Sequence, residues 1–193
     1  MGPQREMAVL NIMVRFPDRY RRLLTVLCIA ATLLPAGVRG EDSAPEAALK
    51  AAFIYNFTKF VEWPPSVPPG QLRLCTVGTS AVTEALGGFE GKLALGRTLT
   101  LVPAPKPGST AQCQLVYVAD SNTPRHVGEV LAEVRGRPVL TVSDHPDFLN
   151  LGGMIAISRT GDRLRFEVDL PTIQNSELKV AAPLLRMAKT VRQ

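Results

Sequence analysis

The run "QLVYVA", Gln114 to Ala119, is continuously apolar and rich in β-branched residues, a pattern that suits a strand covered on both faces. Such a strand needs layers above and below it, so it narrows the choice of architecture before any other segment is read. Strand-like and helix-like segments alternate around it. "LRLCTVG" (Leu72 to Gly78) and "RTLTLVPA" read as strands on either side of a short helix over about Ala81 to Phe89. A Pro- and Gly-rich loop from Pro103 to Ser109 follows. Beyond Ala119 the pattern gives a helix over about Pro124 to Val134, then the strand "RPVLTVSD". Met154 to Ser158 and Arg163 to Leu170 are joined by "RTGD", which has the look of a hairpin turn. In the second of these, Leu164, Phe166, Val168 and Leu170 alternate with Arg163, Arg165, Glu167 and Asp169, giving one inward and one outward face. A last helix is expected over about Pro183 to Val191. The fold class that results is α/β: a single domain with a mixed, mostly parallel sheet, an antiparallel C-terminal hairpin and flanking helices.

The segment "FIYNFTKFVEWPP", Phe53 to Pro65, holds five of the chain's eleven aromatic residues. It ends a helical pattern that starts at Pro45–Glu46, with Leu49, Phe53, Phe57 and Phe60 or Val61 falling on one face at three- and four-residue steps. Pro64 and Pro65 cannot continue a helix, so the helix is expected to end at about Glu62. Trp63 then lies beyond the helix where the chain turns back. It reads either as packing onto the core or as an interface anchor.

Residues 1–40 read as a cleaved secretory leader: Arg15, Arg19, Arg21 and Arg22 precede the apolar core "LLTVLCIAATLLPA", and "VRG" offers a cleavage position before Glu41. Fourteen such residues would rise only about 21 Å as a helix, short of a bilayer's roughly 30 Å hydrocarbon core. Cys28 follows Leu27 in place of a small residue, against a lipoprotein site, and Met7 or Met13 are alternative starts. The mature domain is then 41–193. Removing the leader takes away six arginines and two acids and leaves 16 Lys+Arg against 15 Asp+Glu. The basic balance of the whole chain therefore belongs mostly to the leader, and a nucleic-acid partner is not expected.

Two cysteines remain, Cys75 and Cys113, in a compartment where disulfides persist. A bridge would close a loop of about 38 residues, but spacing does not show that they meet. No CxxC or Cys/His cluster supports a metal site. "SDH", Ser143 to His145, contains the residue types of a hydrolase triad, yet sequence neighbours rarely converge in that geometry and a turn is the simpler reading. His126 reads as a surface or capping residue, and "TVGTS" (Thr76 to Ser80) as a tight turn in preference to an anion site. Gly152 and Gly153 read as conformational glycines. The sequon Asn56-Phe57-Thr58 sits on an aromatic helix and reads as coincidence. No catalytic residue, cofactor or metal is assigned, and the chain is not expected to be an enzyme.

Taken in order, "AALKAAFIYNFTKFVEWP", "LRLCTVG", "QCQLVYV", "RPVLTVSDHPDFLNLGGMIAI", "RLRFEVDL" and "LLRMAKTV" resemble the YfiR family of periplasmic proteins over Ala44 to Val191. The resemblance implies a periplasmic, commonly dimeric α/β domain that binds the periplasmic sensory portion of a membrane diguanylate cyclase. Cyclic di-GMP synthesis, and with it biofilm formation, is thereby held down. It also implies a lipoprotein of the outer membrane or peptidoglycan layer as a further partner. Cys75 and Cys113 match the family's first, redox-associated cysteine pair, so oxidation is expected to join them. The second pair is replaced by Leu149 and Ala156. Ile155, Glu167 and Ile173 fall where the family's partner-contacting patch is expected, with Arg186 and Trp63 as further candidates. A periplasmic small-ligand-binding domain with its cleft near Trp63 and the strand ends is the alternative reading.

Overall fold

The computed structural model describes residues 43–103 and 105–193; the leader expected over residues 1–40 lies outside them. Helix α1 spans Ala44–Phe57 and begins with Pro45, whose fixed φ suits a first helical turn, and with Glu46, whose charge suits the helix N-terminus. It buries Ala47, Lys50, Ala51, Ile54 and Phe57. This stripe is rotated from the expected one: Leu49 is exposed and Phe53 only half-buried. The small side chains of Ala47 and Ala51 face the core, which allows the helix backbone to approach the sheet closely.

The helix also stops earlier than Glu62. The Thr58 hydroxyl donates to the Tyr55 carbonyl at 2.6 Å, and Lys59 and Phe60 make three-residue turns back to Asn56 and Phe57. Strand β1, Val61–Glu62, then pairs antiparallel with β9, Lys179–Val180. Pro64 is thus not what ends the helix, because strand pairing has already pulled Val61 and Glu62 into extended backbone.

The main sheet is built from β2 (Gln71–Val77), β3 (Leu93–Ala94), β4 (Arg97–Pro103), β5 (Leu115–Val118), β6 (Leu140–Ser143), β7 (Ile155–Thr160), β8 (Arg163–Asp169) and β10 (Thr190–Arg192). Among the described residues its order is β10-β8-β7-β6-β5-β2-β4-β3. The β4-β2-β5-β6-β7 run is parallel, and the β7–β8 hairpin is antiparallel with Ile155 opposite Val168 and Thr160 opposite Arg163. β10 returns parallel to β8. That last strand replaces the expected continuation of a helix to Val191: helix α5 covers only Ala182–Met187. β-branched Thr190 and Val191 instead pair with Glu167 and Val168 of β8, satisfying ladder groups that a helix there would leave open.

Helix α1 and helix α2 (Ala81–Leu86) contribute to a core on one face of the sheet with Leu72, Leu115, Tyr117, Ile155 and Val168. Helix α3 (Pro124–Val134) covers the other face with Cys75, Val116, Val118 and Phe148. β5 is buried at all four positions, as its continuous apolar run requires. Helix α4 (Leu170–Gln174) follows β8 directly, with the Asp169 carboxylate accepting from Thr172 N–H at 2.9 Å as its cap. The two adjacent glycines serve different needs. Gly152 has φ +96°, whereas a side chain at Gly153 would run into the Phe148 ring.

Candidate interaction surface

Three of the five clustered aromatics form the base of an open groove. Phe53, Phe57 and Phe60 project from α1 and the turn after it, and Phe166 comes from β8. The Phe57 and Phe166 centroids lie 5.0 Å apart and those of Phe53 and Phe166 6.3 Å apart, both edge-on, as ring quadrupoles favour. Leu184 and Met187 of α5 close the far wall. The groove encloses about 460 Å³, and Met187 on its lip is 53% exposed. Among the described residues, Lys59 and Arg165 are the charged side chains that line it, and no carboxylate does. It can hold apolar side chains against aromatic walls, with Lys59 and Arg165 as its charged lining.

A second polar assembly lies at the carboxyl ends of β5 and β6. Lys50 reaches in from α1 and is only 6% exposed; its ammonium meets Asp144 Oδ2 at 2.9 Å and Glu46 at 3.7 Å. The Tyr117 hydroxyl donates to Asp144 Oδ1 at 2.8 Å. Burial, with the neighbouring Asp144 charge, pushes the Tyr117 phenol far above its ordinary range and keeps it a neutral donor. Glu46 is held in turn by Arg159. The assembly ties α1 to the sheet by paired charges, the condition under which buried ions are tolerated.

The "SDH" run turns out to be a connection and not a triad. Ser143 Oγ donates to the Val118 carbonyl at 2.6 Å and accepts from His145 N–H, while His145 Nδ1 accepts from Asp147 N–H at 3.2 Å. Neither group faces the other as nucleophile and base. In "TVGTS", Ser80 caps α2 reciprocally with Thr83, and Asn122 donates to the Val77 and Ala119 carbonyls, filling the space beside Gly78 where β2 and β5 diverge. His126 sits on the exposed start of α3, near Glu129. Among the described residues, no group of three or more His, Cys, Asp or Glu side chains is placed to hold a metal ion.

Cys75 and Cys113 are joined as a disulfide with Cα atoms 6.0 Å apart, linking β2 to the segment that enters β5. Leu149 and Ala156 both pack into the core beneath α3. The remaining expected contact residues scatter. Ile155 and Ile173 are both fully buried at 0% exposure and offer a partner no side-chain surface. This corrects the expected patch for a simple reason: Ile155 shares the core-facing side of the β7–β8 pair with Val168, so its neighbour Glu167 points to the opposite face. Glu167 is half-buried and lies 3.3 Å from Lys189. Arg186 is exposed on α5 beside Met187. Trp63 is half-buried against the core, with its indole N–H donating to the Gln114 carbonyl at 3.2 Å and the Arg97 guanidinium 5.8 Å from its ring. It does not line the groove. Of the expected set, only Arg186 adjoins the groove, through Met187. The 53-57-60 spacing was the one sequence signal for the groove; the partners from β8 and α5 carry no such mark.

A family model described as YfiR/HmsC-like matches residues 47–189. The chain belongs to the YfiR/HmsC-like family. Among solved structures it is similar to a conserved domain protein from Vibrio cholerae O1 biovar El Tor strain N16961, with a TM-score of 0.51 and 8% sequence identity. That match covers 76% of this chain and 60% of the Vibrio chain, so this chain spans less than two thirds of its length, and the likeness is one of fold. No helix among the described residues is long and apolar enough to cross a membrane.

Proposed function

We propose that this YfiR/HmsC-like chain is a periplasmic negative regulator. It binds the sensory domain of a membrane diguanylate cyclase and lowers cyclic di-GMP synthesis. The observation that carries the reading is an apolar groove left open to solvent on a member of this family. A surface of that kind is suited to adhesion. A regulator of this type needs only to bind one conformation of the sensory domain better than the other. A preference of about 2.7 kcal/mol shifts that equilibrium a hundredfold. Bridging of Cys75 and Cys113 tunes the regulator's stability or its partner affinity, and a homodimer and a lipoprotein partner belong to the same reading.

The test is cellular cyclic di-GMP in a strain carrying the cyclase, with and without this protein. We expect a rise when it is removed and a similar rise when it is replaced by Met187→Glu, which should remain folded because Met187 is exposed. Unchanged nucleotide levels on removal would overturn the regulatory reading. The groove volume also falls in the range of small-molecule sites, which favours the ligand-binding alternative to that extent. Saturable binding of a metabolite, blocked by Met187→Glu in the absence of any protein partner, would move the conclusion there.

A further inference from the structure

We infer that the groove takes an acidic amphipathic helix of the partner, with its apolar stripe against the phenylalanine floor and its carboxylates at Lys59 and Arg165; this rests on the regulatory reading above. The floor runs from Phe53 and Phe57 on the last turn of α1 to Phe60 in the turn that follows it. Three aromatic side chains along one wall suit an entering helix with apolar residues at i, i+3 or i+4, and i+7. Among the described residues the charged lining is of one sign: Lys59 and Arg165 are both exposed and no acid lines the groove with them, while the Lys59 ammonium rests against Asn56 Oδ1 at 3.0 Å and over the Tyr55 ring. An incoming carboxylate gains from both cations, and an incoming lysine is repelled.

The same charges argue against a second copy of this chain as the occupant. The exposed large apolar side chains among the described residues are Leu49, Leu93, Leu95 and Met187. Lys92 and Arg97 flank the Leu93–Leu95 tip, and Arg186 and Lys189 flank Met187, so docking any of these would bring like charge to the entrance. Leu49 has two acids nearby: Glu46, which Lys50 and Arg159 hold, and Asp162, which Arg159 approaches at 3.9 Å. Three of these four side chains would bring like charge, and the acids beside Leu49 already face Arg159, so the complementary negative charge is assigned to another protein.

Fluorescence anisotropy with two labelled synthetic helical peptides tests the inference on the purified protein. One carries a leucine stripe flanked by glutamates, and the other carries the same stripe flanked by lysines. The expected result is saturable binding of the glutamate peptide, weakened by added salt, with the lysine peptide about tenfold weaker or worse, a difference of about 1.4 kcal/mol. The double variant Lys59→Glu/Arg165→Glu should exchange the preference, and Met187→Glu should weaken both peptides, with circular dichroism confirming that each variant is folded. No saturable binding, equal binding of the two peptides, or a preference unmoved by charge reversal would overturn it. So would a dimer in light scattering that Met187→Glu dissociates, since the occupant would then be a second copy. Failure here is separable from failure of the regulatory reading: a charge-reversed protein that still lowers cyclic di-GMP removes the groove assignment and leaves the regulator standing.

Discussion

Ile155 and Glu167 lie on neighbouring strands, yet the pleat sends them to opposite faces of the sheet. Their consequences on substitution should therefore diverge. Ile155→Asp would place a carboxylate among Tyr117, Val142 and Val168 in the core beneath α1. We expect a loss of about 4 kcal/mol or more, or outright failure to fold, measured by urea denaturation. Glu167→Ala, at a half-buried site with one long contact to Lys189, should stay within about 0.5–1 kcal/mol of the parent. Similar losses for the two would contradict the assigned faces. Alternation along "RLRFEVD" was legible in the sequence, because a period of two needs no tertiary information. What it left open was which residues of β7 share each face, since that depends on register across the hairpin. The same limit applies to Lys50: the sequence shows a helical lysine, and only the fold brings Asp144 to it from 94 positions away.

At the scale of elements, the disulfide between β2 and the entry to β5 closes a loop of 38 residues. On the chain-entropy account this constraint on the unfolded chain contributes about 3–4 kcal/mol. Urea unfolding with and without dithiothreitol should show a drop of that order, and Cys75→Ala/Cys113→Ala should match the reduced protein. Equal stability in both states would mean that the bond merely decorates an already rigid core. The two helix ends that differ from their sequence patterns have a common cause. Val61–Glu62 and Thr190–Arg192 each continue an apolar helical pattern, and each instead meets a strand with open ladder groups. β-branched Val61, Thr190 and Val191 suit the extended state, so pairing outweighs a weak helical preference.

Over the whole molecule, the sheet ends in two short strands, β3 with two residues and β10 with three. Short edges limit the length of unpaired ladder that another chain could join. Deleting residues 190–193 would uncover the β8 edge at Glu167–Asp169. We expect a lower melting temperature by thermal scanning and more aggregation by light scattering than in the full chain. An unchanged melting curve would show that β10 contributes no net stability.

By itself, the sequence determined the alternation of strands and helices, the doubly covered β5 and the antiparallel hairpin. All of these follow from side-chain periodicity within short windows, where the geometry of one element decides which residues share a face. It also placed five aromatics in one segment. Only the tertiary structure decided that three of them would form the base of an open groove, that Trp63 would turn to the core, and that Ile155 and Ile173 would be hidden. Those outcomes depend on which distant segments, β8 and α5 for the groove and β9 for the helix end, arrive beside each residue, and such meetings leave no periodic signature in the chain.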